Sequence, residues 1–310
     1  MKPGNRLTLT IQLDTALAML FSFAHELDDA NAPLGMPTRI RQIALVTTNS
    51  NLEATLQTLT RALDAPVVER DPGVAAFGLH NGILQLGDCF LEVVAPLPTI
   101  NPVTTSGGRY TSKYGEGGYM VLVQVDNLTT VESSMSHLTS IHSGGRDGTT
   151  NQDRPHVPGQ PLPTRPGITG THYHPRDMGC IVEATSMLPA HEWLWAGKKW
   201  LDAPSGDSTK VGGFARLVIA CQAPRKVCNT WRTGLLLSQK DPTATTLWTS
   251  DGTEITFRTP LHALENGIVE IDLWCRQKAL KDCRTSICNV VFGFQWREED
   301  AATRKLVAKL

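Results

Sequence analysis

The chain has 310 residues, 29 basic against 30 acidic side chains, a formal net charge of −1 and 41% hydrophobic residues. This length allows two domains of ordinary size, each able to bury a core. The balanced charge, with no long run of either sign, excludes nucleic-acid binding through a basic face, which needs clustered Lys and Arg against the phosphates.

In chain order, residues 1–37 read as an N-terminal extension. The apolar run Ala16 to Ala24, preceded by Asp14, is shorter than the roughly 20 residues of a membrane span. An amphipathic lead helix or a disordered extension is expected, with a targeting peptide as the alternative. No later segment could cross a bilayer. From Ile40, "IRQIALVTT" reads as a strand, and Leu52, Leu56, Leu59 and Leu63 recur at helical spacing. "APVVER", "VAAFGLHN", "GILQLG" and "CFLEVVAP" then read as short β pieces. "GGRYTSKYGEGGY", which holds Tyr110, Tyr114 and Tyr119, reads as a linker. The order restarts with the strand "YMVLVQV" and a helix capped by Asp126. A Pro- and Gly-rich insertion stands where its second strand should be, and "ITGTHYH" and "CIVEATSM" follow around the turn "PRDMG".

"HEWLWAGKKW" reads as packing that joins the two halves, with an aromatic ligand wall as the alternative. A third start follows at "GGFARLVIAC", with the helix "PRKVCNTWRTGLLL" and a hairpin around Asp251-Gly252. "GIVEIDLWC", "RQKALKDC" and "SICNVVFGFQW" read as strand, short helix and strand, a shortened fourth unit. Four related units in two pairs are expected, divided as 38–200 and 201–310. No GxGxxG or P-loop is present. The seven cysteines form no CxxC, so reduced, mostly buried thiols in a cytoplasmic protein are expected.

"IRQIALVTTNSNLEATLQTLTRALD" with "VAAFGLHNGILQLGDCFLEVVAPL" resembles the first module of the glyoxalase, or vicinal oxygen chelate, superfamily. "GTHYHPRDMGCIVEA" is similar to the closing hairpin of its second module, and its His-Pro is similar to that of methylmalonyl-CoA epimerases. The resemblance covers residues 38–200 well and 212–296 weakly. It implies an α+β fold of paired βαβββ modules, in two module pairs, cupping a divalent metal and a small substrate. It places metal ligands at Gln42, Glu92 and Glu183. The fourth position, usually histidine, falls on Met120, a soft thioether poorly suited to Mg, Mn, Co, Ni or Zn.

Apart from the resemblance, Glu92 and Glu183 sit in apolar strand runs where an unpaired charge would be costly. Each should face a metal, a cation or water. His172 and His174 share one strand face, and pairing His174 with Ile181 would set His172 opposite Glu183. His172 is then a candidate fourth ligand, a hydrogen-bond partner of Glu183 or a catalytic acid–base group. His174 shapes the turn or borders the pocket, and Arg176 at its tip is a candidate for an anionic substrate group. Gln85 and Met120 are further pocket candidates, and Arg41 is expected to be exposed on the face opposite Gln42. Arg216, at the first-strand position of the third unit, cannot chelate a metal, so the C-terminal half is expected to be structural or a lid.

Two functions follow. One is an isomerase or lyase acting on a small carbonyl compound, using Zn, Ni, Co, Mn, Mg or Fe, with Glu92, Glu183 and His172 as catalytic residues. The other is a metal-free small-molecule-binding protein of the bleomycin-resistance type. A monomer or homodimer suits either. An extradiol dioxygenase is disfavoured, because its ligand set would need histidine at 42 or 120.

Overall fold

The computed structural model describes residues 38–138, 140–144, 167–189, 191–202 and 210–296. The expected extension (1–37) and residues 145–166 of the insertion lie outside the described residues. The described residues all belong to one compact unit.

The first module runs β1 (Arg39–Val46), α1 (Leu52–Leu63), β2 (Val67–Glu69), β3 (Leu79–Leu86) and β4 (Cys89–Pro96). Helix α1 buries the expected stripe of Leu52, Leu56, Leu59 and Leu63. Strand β4 returns parallel beside β1, with Gln42 level with Phe90 and Ala44 level with Glu92. Pro72 to Phe77, expected to include a strand, is a 3-10 helix: Pro72 fixes its first turn and the Asp71 side chain accepts from Gly73 N at 2.7 Å. The expected tyrosine-rich linker is instead α2 (Ser106–Tyr114), capped by the Thr105 hydroxyl, which accepts from Gly108 N at 2.9 Å.

The second module comprises β5 (Gly117–Gln124), α3 (Leu128–Ser134), β6 (Ser140–Gly144), β7 (Ile168–Tyr173) and β8 (Ile181–Met187), with the short α4 (Pro175–Met178) in the turn. Strand β6 is the strand that sequence reasoning did not find. Asn127 caps α3 instead of Asp126, its Oδ1 accepting from Thr130 N at 3.1 Å. After α5 (Lys199–Asp202) the third module has β9 (Val211–Ala220), α6 (Pro224–Gly234), β10 (Thr246–Trp248) and β11 (Glu254–Arg258). The fourth has β12 (Gly267–Cys275), β13 (Arg284–Ile287) and β14 (Val290–Trp296). "SICNVVFGFQW" is therefore a hairpin and not one strand. Cys288 and Asn289 both take positive φ (54° and 55°) at its turn, matching the twist of the flanking strands.

Within each pair the first strands lie antiparallel, β1 beside β5 and β9 beside β12. The pairs meet where Ile268 lies level with Gly118, giving one 14-stranded sheet. Tyr110 ties this joint: its one hydroxyl proton is shared between Asn266 O (2.7 Å) and Gly118 O (3.1 Å). One sheet face supplies the shared core, in which Ile43, Leu91 and Val121 cluster with Leu217, Ile271 and Phe292. The other face of the first pair carries Phe90, Leu122 and Met120, packed against residues that follow β8. This is an α+β architecture of paired βαβββ modules, with the third and fourth modules shortened.

Candidate functional site

Period-two alternation along β1 is broken by a β-bulge between Ile40 and Gln42. The extra residue, Arg41, is turned onto the same face as Gln42 while Ile40 and Ile43 stay in the core. Arg41 is 1% exposed, which corrects its expected place in solvent. Its guanidinium carbon lies 5.9, 5.8 and 5.6 Å from the ring centres of Phe90, Trp193 and Trp200.

Gln42 and Glu92 meet on this face: Gln42 Nε2 donates to Glu92 Oε2 at 3.0 Å. The other carboxyl oxygen accepts from Asn81 Nδ2 at 2.5 Å. Burial, opposed by these two hydrogen bonds and reinforced by the like charges of Asp71 and Glu183, pushes Glu92 up to about 7. Across the joint of the two modules, His172 stands in register opposite Glu183, with Nε2 hydrogen-bonded to Oε2 at 2.6 Å. Glu183 Oε1 accepts from the Thr185 hydroxyl and from Trp195 Nε1, the latter at 3.0 Å.

The indoles come from residues 191–202, a strap that lies over this face. Trp193 is fully buried and donates from Nε1 to Gln42 Oε1 at 2.6 Å. Trp200 packs edge-on against Phe90 at 5.3 Å. The expected aromatic packing thus lies within the first pair, on the candidate ligands themselves. Met120 lines the apolar wall with Ile83, Leu122 and Met187. The remaining candidates lie apart. Gln85 donates to Gly87 O at 2.9 Å in the β3–β4 turn. His174 caps α4, its Nδ1 accepting from Arg176 N at 3.0 Å, and the Arg176 side chain is exposed.

The donor set can be tested against a divalent ion. Gln42 Oε1 and all four carboxyl oxygens of Glu92 and Glu183 each accept a hydrogen bond from the protein. Among the described residues there is no group of three His, Cys, Asp or Glu side chains able to hold a metal. An ion would have to share oxygens already held by Trp193, Asn81, Trp195 and His172, and to take its place beside these donors. As arranged, the set does not fit one. In the second pair, the first-strand residue Arg216 donates to Asp272 (2.9 Å) and Glu270 (2.8 Å), and Gln295 donates to Asp272 (3.0 Å). These polar groups form an ion-pair network.

Sequence reasoning missed Arg41, Asn81 and the indole donors. Alternation along β3 places Asn81 on the face of Ile83, which is level with Glu92, so Asn81 was within reach of that argument. A bulge and a non-local strap leave no such periodic signal.

No protein-family model and no curated protein matches the chain. Among solved structures, a hypothetical protein from Staphylococcus aureus is similar over 84% of this chain and 100% of its own, at 9% identity and a TM-score of 0.52. A xylose isomerase-like TIM barrel/4-hydroxyphenylpyruvate dioxygenase fusion protein is similar over 80% of this chain and 38% of its own, at 9% identity and a TM-score of 0.54. Streptomyces coelicolor methylmalonyl-CoA epimerase aligns over 51% of this chain and 100% of its own, at 15% identity and a TM-score of 0.36. At 9% identity the first two likenesses are of fold alone.

Proposed function

We propose that the chain is a small-molecule-binding protein of the glyoxalase-like fold whose first module pair works without a divalent ion. The observation that carries this reading is the placement of the Trp193 and Trp195 indole N–H groups on Gln42 and Glu183, two positions where the superfamily resemblance puts metal ligands. A buried acceptor that already holds a donor gains little by exchanging it for a hydrated cation. Met120, in the apolar wall, supports the same reading.

Titrating chelator-treated protein with zinc, nickel, cobalt and manganese in a calorimeter tests it. No stoichiometric binding is expected. Binding of one ion per chain that disappears in Glu183→Gln would overturn the proposal and restore the metal-dependent isomerase or lyase.

A second reading rests on Glu92. A carboxyl group poised at about 7 exchanges a proton readily at neutral pH. Beside a bound carbonyl compound, Glu92 and the His172–Glu183 pair would form a metal-free acid–base site. Turnover lost in Glu92→Gln with binding intact would support it.

A further inference from the structure

Two buried N–H donors between the strap and the sheet have no acceptor among the described residues. Arg41 Nε and Trp200 Nε1 are both inaccessible to solvent and, among the described residues, without a hydrogen-bond partner. They belong to adjoining groups, the Trp200 ring centre lying 5.6 Å from the Arg41 guanidinium carbon. The rest of the Arg41 fork is weakly engaged. It donates to Gln124 Oε1 at 3.3 Å and to His191 O at 3.4 Å. Its nearest carboxylate, Asp88 at 3.8 Å, is more than half exposed and already pairs with Arg39 at 2.5 Å. A guanidinium removed from water normally takes a close anion, because desolvation of the charge is otherwise uncompensated. Both orphaned atoms are donors, and beside a weakly paired buried guanidinium a group with two acceptor oxygens and a negative charge would satisfy both.

We propose that Arg41 and Trp200 form a binding site beneath the strap for a small carboxylate with a flat apolar body. One carboxylate oxygen would accept from Arg41 Nε and the other from Trp200 Nε1. The single charge of a carboxylate matches the single guanidinium, whereas a phosphate dianion would leave charge buried and unpaired. The surrounding side chains favour an apolar body: Phe90 and Trp193 flank the guanidinium, and Ile83, Leu122 and Met187 pack with them. This deepens the metal-free reading above, since the anion is held by protein donors alone.

The test uses the 310-residue chain labelled with ¹⁵N on its seven tryptophans, kept in chelator and titrated with benzoate. Trp200→Phe keeps the ring packing and identifies the Trp200 indole signal by its loss. That signal is expected to move downfield on adding benzoate up to about 10 mM, a range that reaches millimolar dissociation constants. Trp200→Phe is expected to weaken binding roughly tenfold or more, the worth of a hydrogen bond to a charged group. Arg41→Lys keeps the charge, loses the fork and should weaken binding similarly, while Arg61→Gln on the exposed side of α1 should not. An indole signal unmoved by benzoate, equal binding to Trp200→Phe, or inorganic phosphate binding more tightly than benzoate would each overturn the proposal. Adding zinc to a separate sample freed of chelator reports on the metal-free reading alone, so either idea can fail while the other stands.

Discussion

Glu92 shows how one buried carboxyl group makes stability depend on pH. Its folded value of about 7 lies above the ordinary 4.5. Below 4.5 both folded and unfolded chains hold the proton, and Glu92 adds nothing to the pH dependence. Between 4.5 and about 7 the unfolded chain releases its proton first, so stability falls as pH rises, and above this window the loss is complete, at about 3 kcal/mol. Urea denaturation across this range should show wild type losing that amount relative to Glu92→Gln, whose side chain does not titrate. Parallel stability curves for the two proteins would show that folding leaves the proton affinity of Glu92 unshifted. The place of Glu92 in an apolar strand run already marked this carboxyl as facing something polar. That its partners are Gln42 and Asn81 depends on strand register, which one sequence does not display. The His172–Glu183 pairing was legible because a short turn between the two strands leaves few registers open.

At the scale of elements, α1 and the turn at Asp251-Gly252 were readable from local pattern alone. The misreadings came where tertiary context or turn chemistry won. Residues 106–114 contain two glycines and read as a linker, yet Thr105 caps them into a helix. The Cys288-Asn289 turn splits an apolar run that shows no obvious break. The seating of α1 on the sheet offers a sharper check. A Cβ added at Gly82 would fall 2.6 and 2.9 Å from the two methyls of Leu56, which is itself buried. Gly82→Ala is therefore expected to cost about 1–3 kcal/mol by overpacking, and Leu56→Ala about 2–5 kcal/mol through the void it leaves. Combined, the two should cost less than their sum, because the new methyl enters the void. Strict additivity in a thermal or urea double-mutant cycle would mean that α1 does not sit on β3 in this way.

For the whole molecule, the repeat order of strands and helices was legible, but the joint between the pairs was not. It rests on Gly118, where a Cβ would meet the carbonyl oxygen and side chain of Ile268, and a glycine in an apolar strand carries no mark of what lies against it. Gly118→Ala is expected to destabilise by about 3 kcal/mol or more and to split one cooperative unfolding transition into two, as followed by calorimetry. A single unshifted transition would show that the pairs do not depend on this contact. The strap is likewise a whole-molecule feature, because it lies in the connection between β8 and β9. A cover tethered at both ends cannot diffuse away. Its local concentration is on the order of millimolar, however dilute the protein. A visiting molecule must therefore compete with, or fit beneath, an occupant that is always present. If the covered form outnumbers the open one by about 100 to 1, a ligand that must displace the strap binds about 100-fold more weakly than its contacts alone would allow. A ligand small enough to sit beneath the strap escapes that penalty, so the tether itself sorts molecules by size.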